Sequence, residues 1–216
     1  MNNFSPNMLK TFDECQKKFF FRYIEKKSLP QRSTIFEKGK KIHAMANYYL
    51  KGFDIKKMEN ALNSEEKATW QRLKSNKYFK LNPVETEYNL SCKVGNYWIG
   101  GRLDAFMKNN SDYFILDYKT GNIPKNAEKD FQTITYLLCA DKLLKSKKGG
   151  YNSLKFVYLG LKNDEEKEIS INDELKKQYE EKVLELCKNI DFAVTSGVFL
   201  PCKDCKNCEY NKLCNL

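Results

Sequence analysis

The chain of 216 residues carries 38 Lys and Arg against 28 Asp and Glu, a formal net charge of +10, with 41% hydrophobic and 13% aromatic residues. That length and apolar content suit one compact domain over 1–216 and exclude a disordered chain, while the basic balance favours a polyanionic partner. No run of about 18 apolar residues exists, so no membrane span is expected. Residues 1–10 lack a signal peptide's apolar core, so the expected compartment is the cytoplasm, where thiols stay reduced or bind metal.

Taken in order, Ser5 followed by Pro6 reads as an N-cap and first helical position. The helix they open is expected over 5–27, with Leu9, Phe12, Phe19, Phe20, Tyr23 and Ile24 as its apolar stripe. Further helices are expected over Ile35–Leu50 and Ser64–Lys77, then a strand over Val84–Leu90. Tyr97–Phe106 and Tyr113–Tyr118 read as two strands of a hairpin, with Asn109, Asn110, Ser111 and Asp112 as the turn. Glu128–Leu144 reads as a helix, Leu154–Leu161 and Glu168–Ile171 as strands, and Glu174–Thr195 as a helix stopped by Gly197. The predicted fold is α/β: a small mixed sheet flanked by helices, its central strands carrying acids.

The hairpin concentrates the chemistry. With its turn centred between Asn110 and Ser111, Asp104 faces Asp117, their Cβ atoms about 5 Å apart. Side chains alternate along a strand, so Lys119 shares the face of Asp117 and Tyr118 points away. Two carboxylates that close repel unless a cation lies between them. Two acids, a lysine and room for a hard divalent ion point to phosphodiester hydrolysis.

Cys205, Cys208 and Cys214 form C-x2-C-x5-C, with Cys202 three residues earlier. Thiolates so spaced can wrap one soft metal centre, completed either by Cys202 or by a distant cysteine, for which Cys15 on the first helix is the candidate. Spacing alone does not separate zinc from iron–sulfur. Cys92, Cys139 and Cys187 read as small buried hydrophobes.

Several motifs stand in sequence: Ser5-Pro6-x-x-Leu9 with Cys15-x-x-x-Phe19, Gly39-x-x-x-His43, Gly101-Arg102-Leu103-Asp104, Asp117-Tyr118-Lys119-Thr120, Gln132-x-x-x-Tyr136, and the C-terminal thiolate triplet. In this order they resemble the RecB-like branch of the PD-(D/E)XK nucleases, particularly its iron–sulfur subgroup, which includes CRISPR-associated RecB-like exonucleases and the nuclease domain of AddB. Gln16 stands where the family usually has Pro after the first cysteine, and Cys202 is surplus. Each motif alone is weak; six in order are specific.

The resemblance implies a restriction-endonuclease-like core, with the N-terminal helix 5–27 and the segment 198–216 joined by a metal cluster. It implies a metal-dependent deoxyribonuclease, an exonuclease on single-stranded DNA, serving DNA repair, recombination or CRISPR adaptation with protein partners. Asp104, Asp117, Lys119, Glu87, Gln132 and Tyr136 would then be catalytic. His43, Asp104, Asp117 and the Tyr118 carbonyl would hold Mg2+ or Mn2+, while Cys15, Cys205, Cys208 and Cys214 would hold a 4Fe-4S cluster, with Zn2+ as the alternative. Gln132 and Tyr136, four apart on one helix face, would line the site and touch the DNA backbone or Lys119. Lys18, Phe21, Arg22 and Tyr23 are candidates for stacking on bases, against the simpler reading of the aromatics as core. The competing functions are a non-catalytic nucleic-acid-binding module with a structural Fe–S or Zn site, and a structural subunit of a larger complex.

Overall fold

The computed structural model of the chain describes residues 2–27, 34–147, 150–202, 205 and 208–214, with the side chains of 34–38 outside that set. Of the segment expected over 198–216, residues 203, 204, 206, 207, 215 and 216 therefore lie outside the described residues.

Strand β1 (Asn3–Phe4) precedes helix α1 (Pro6–Glu14), which Ser5 caps by accepting the Met8 N–H at 3.3 Å. The expected continuous helix over 5–27 is broken: Cys15 is extended (φ −164°, ψ 111°), and α2 (Gln16–Phe19) runs on into a π-helical turn, Phe20–Ile24. The break has a local cause. The Cys15 thiol accepts the Lys18 N–H at 3.4 Å and so caps the new helix, and the change of direction lets Phe12 and Phe19 meet edge-on at 5.3 Å.

Helix α3 (Thr34–Leu50) follows, then α4 (Lys56–Asn60), a short turn that periodicity does not reveal, and α5 (Ser64–Ser75), opened by a capping box of Asn63 and Glu66. Strands β2 (Asn82–Val94), β3 (Tyr97–Asn109) and β4 (Asp112–Lys119) are each longer than expected. Next come α6 (Phe131–Lys145), β5 (Ser153–Gly160), β6 (Glu165–Ser170), α7 (Asp173–Ser196, ending at left-handed Gly197) and α8 (Asn211–Cys214).

The sheet is mixed. β2, β3 and β4 run antiparallel in turn, β4 pairs parallel with β5, and β5 antiparallel with β6. One face packs on α1, α6 and α7 through Leu9, Phe12, Ile115, Ile134, Leu138, Phe156 and Val183; Cys92, Cys139 and Cys187 are buried there. The other face carries Met45, Trp70, Phe79, Leu116, Tyr118 and Val157 under α3 and α5. Each such side chain contributes about 1.5–3 kcal/mol on burial, enough to fix which residues face which layer.

One edge of β3 is shared. β4 pairs with it from Asn109↔Asp112 to Ala105↔Leu116 and then diverges, while β1 pairs parallel with Trp98 and Ile99. Between those stretches β3 has neither neighbour on this edge, and that fork holds the site. Among the described residues, no helix is long and apolar enough to cross a membrane.

Candidate active site

The register places three acids at one level. Continuing the β3–β4 register past Ala105↔Leu116 sets Asp104 opposite Asp117, and β2 pairs Thr86 with Ala105 and Tyr88 with Leu103, which sets Glu87 opposite Asp104. At the fork the ladder is continued by a side chain: the Tyr118 N–H donates to Asp104 Oδ2 at 2.9 Å. Glu87 adopts φ +48° in mid-strand, a left-handed conformation that a non-glycine residue keeps only where its surroundings impose it.

Helix α3 closes the site from above. A Cβ at Gly39 would lie 3.2 Å from Thr120 Oγ1, so glycine lets the helix approach the end of β4. One turn later His43 places Nδ1 3.0 Å from Asp104 Oδ1 and Nε2 2.9 Å from the Tyr118 carbonyl oxygen. His43, Glu87 and Asp104 each offer a ligand atom within 4.8 Å of the others. The Arg102 Nε lies 2.9 Å from Glu87 Oε2. A cleft of about 720 Å³ opens over these groups, lined also by Lys40, Asn47, Tyr48 and Thr120.

Lys119 comes from the same strand as Asp117. Its Nζ lies 2.7 Å from Asp117 Oδ2, donates to Gln132 Oε1 at 2.7 Å, and stands over the Tyr158 ring. Gln132 is held in turn at the start of α6, where its N–H donates to the Asp130 cap at 2.9 Å. Tyr136 goes elsewhere. Instead of facing Lys119 or the cleft, it is buried and donates its hydroxyl to the Arg102 carbonyl at 2.9 Å, on the edge of β3 left by β4. Gly101 leaves it room: a Cβ there would fall 2.8 Å from the Tyr136 hydroxyl.

The charges are arranged unevenly. Burial pushes the Asp117 carboxyl up to about 6; Lys119 pulls it down and Asp104 adds to the rise. Burial opposes a charge on His43, but the hydrogen bond and charge of Asp104, with the charge of Asp117, hold its pKa above 6.5. One imidazole, up to three carboxylates and a carbonyl make an oxygen-rich set that suits Mg2+ or Mn2+ better than a soft ion.

The C-terminal cysteines gather near Cys15, at the C-terminal end of α1. The Cys202 and Cys205 sulfurs lie 3.7 Å apart, and hydrogen bonds with the Cys15 and Cys205 thiols push the Cys202 thiol up to about 11. Burial, then the neighbouring Cys205, Cys15 and Cys208, raises the Cys214 thiol. The segment is strapped down by backbone: the Lys17 N–H donates to the Leu200 carbonyl at 3.1 Å and the Leu200 N–H to Gln16 Oε1 at 3.1 Å. Of the aromatics considered for base stacking, Phe21 is buried against Tyr210 and Tyr23 packs on Phe19. Arg102, Asn47 and Tyr48 are cleft residues that sequence reasoning passed over. Arg102 stands inside a quoted motif, whereas nothing in the helical period marks the other two.

No curated protein matches the chain. The crystal structure of a proposed exonuclease from Eubacterium rectale superposes with a TM-score of 0.63 at 12% identity, covering 97% of this chain and 88% of that one; the likeness is one of fold. The crystal structure of SSO0001 gives a TM-score of 0.41 at 17% identity, covering 88% of this chain and 76% of that one, too loose a match to carry argument. The family described as the PD-(D/E)XK nuclease superfamily matches residues 3–80 and 65–215. With that span matched, the chain belongs to the PD-(D/E)XK nuclease superfamily.

Proposed function

We propose that the chain is a metal-dependent DNA nuclease, an exonuclease on single-stranded DNA, working with protein partners in DNA repair, recombination or CRISPR adaptation. The observation that carries this is the level set of Glu87, Asp104 and Asp117 on three adjacent strands, with Lys119 clamped between Asp117 and Gln132. His43, Asp104, Asp117 and the Tyr118 carbonyl would hold Mg2+ or Mn2+, with Glu87 beside them. When bound, the ion supplies a Lewis acid for the phosphate and a water of lowered pKa.

The remaining work falls to the side chains. Lys119 offers its ammonium to the charge that develops on the phosphate oxygens, and its two partners fix that ammonium before substrate arrives. Arg102 and Lys40, lining the cleft, hold the strand through its phosphates. Tyr136 acts as a positioning residue: it holds β3 at the fork and so keeps Asp104 in place.

We also propose that Cys15, Cys205, Cys208 and Cys214 bind a 4Fe-4S cluster, with zinc the alternative and Cys202 a fifth thiol beside them. The mutual contacts of these thiols and the strap across α2 favour a structural role, with metal binding contributing to folding.

The test is incubation of end-labelled linear and circular single-stranded DNA with Mn2+. Linear DNA is degraded and circular DNA persists, while Lys119→Ala lowers the rate by about 10²-fold or more. Equal rates for the two proteins would return the chain to the non-catalytic binding module.

A further inference from the structure

Tyr48 is five residues beyond His43 on α3, which places it about 7.5 Å further along the helix axis. That is about two stacked nucleotides at 3.4 Å each. Its ring meets Phe53 edge-on with centroids 5.8 Å apart. Both residues are open to solvent, at 46% and 59%, whereas the ring of the adjacent Tyr49 stacks on Phe79.

The backbone holds the pair in place. Just past the end of α3, Gly52 has φ +78°; the Gly52 N–H donates to the Tyr49 carbonyl at 2.9 Å and the Phe53 N–H to the Tyr48 carbonyl at 3.0 Å. These are the two bonds of a Schellman motif, in which an apolar contact between these positions is common and covers the helix end. Here the contact leaves two large rings about half exposed. Moreover, Tyr48 forms the wall of the very cleft that Arg102, Lys40 and the acids line. An aromatic surface beside cations that can hold phosphates is the pairing that binds single strands without reading sequence.

Building on the nuclease reading above, we propose that Tyr48 and Phe53 form a stacking platform for an unpaired base, one or two nucleotides from the phosphate in the cleft. Bases inside a duplex have both faces covered by their neighbours, so such a platform selects single-stranded or frayed ends. It accepts any base, since every base presents a π-face.

The experiment measures binding in EDTA, where no cleavage intervenes, by fluorescence anisotropy of a short oligothymidylate and of an abasic strand of equal length and charge. The wild-type protein binds the base-bearing strand about tenfold or more tightly. The double variant Tyr48→Leu with Phe53→Leu keeps the apolar contact but lacks π-faces, and its ratio falls towards one; Tyr48→Phe keeps the ratio. A wild-type ratio near one overturns the proposal, and so does a double variant that retains the wild-type ratio. Because only binding is read, inactivity in the Lys119 assay leaves this result standing, and a failed platform leaves the nuclease reading intact.

Discussion

Replacing Asp117 with Asn stabilises the metal-free protein. The ordinary carboxyl value is 3.8, and burial raises that of Asp117 to about 6. At about 1.4 kcal/mol per tenfold change in proton affinity, holding this carboxylate ionised in the fold costs about 3 kcal/mol relative to the unfolded chain. The sign follows from the raised value: the folded state binds the proton more tightly, so the cost is complete above pH 6 and disappears as pH falls from about 6 towards 3.8. Asp117→Asn removes it, and for a domain of this size about 3 kcal/mol corresponds to a rise in Tm of about 6–12 °C. Urea melts in EDTA at pH 7.5 and pH 4.5 check this: the variant is the more stable at the higher pH and keeps only about a third of that advantage at the lower. Mn2+ then reverses the order at pH 7.5, since an ion at about a thousandfold excess over its Kd adds about 4.1 kcal/mol to the wild type only. A variant that is no more stable in EDTA, or whose advantage is the same at both pH values, refutes the reasoning.

Gln132→Ala frees one side of the Lys119 ammonium and lowers kcat by about ten- to hundredfold with little change in KM, read from steady-state cleavage of single-stranded DNA. Glu87→Gly and Glu87→Ala both lose the contact with Arg102, but glycine accepts φ +48°, so the glycine variant melts as the more stable of the two by about 1 kcal/mol. Tyr136→Phe leaves the Arg102 carbonyl without its donor and costs about 1–3 kcal/mol in urea. Anaerobic purification gives a brown protein with broad visible absorbance, which Cys205→Ser abolishes while lowering Tm; a colourless preparation containing zinc assigns the thiols to zinc instead.

The fold was legible where local chemistry sets it. Asn110 takes φ +54° in the turn that its neighbours announce, and that turn fixes a register in which Asp104 must face Asp117. The placing of Glu87 opposite Asp104 depends on the pairing of β2 with β3, two strands whose offset no single stretch of sequence declares. Cys15 interrupts an otherwise convincing apolar stripe because its thiol caps α2, a role that helical periodicity cannot represent. β1 is two residues long and exists only because β4 leaves an edge vacant. Tyr136 shares a helix face with Gln132, yet one points to Lys119 and the other to a backbone carbonyl. Spacing gives the face, whereas the fork gives the target.

The strap also imposes an order on biosynthesis. Phe199 packs on Phe20 at 4.9 Å and Tyr210 donates its hydroxyl to the Lys27 carbonyl, so the π-helical turn after α2 and the residues beyond it are covered by residues nearly two hundred positions downstream. At about 5–20 residues per second, Cys15 leaves the ribosome about 10–40 s before Cys205. During that interval its sulfur lacks its C-terminal companions, and Phe20 lacks Phe199 to rest on. Growth under oxidative stress should therefore trap nascent chains through early thiols that include Cys15, and a reducing environment matters most while the polypeptide is still being made.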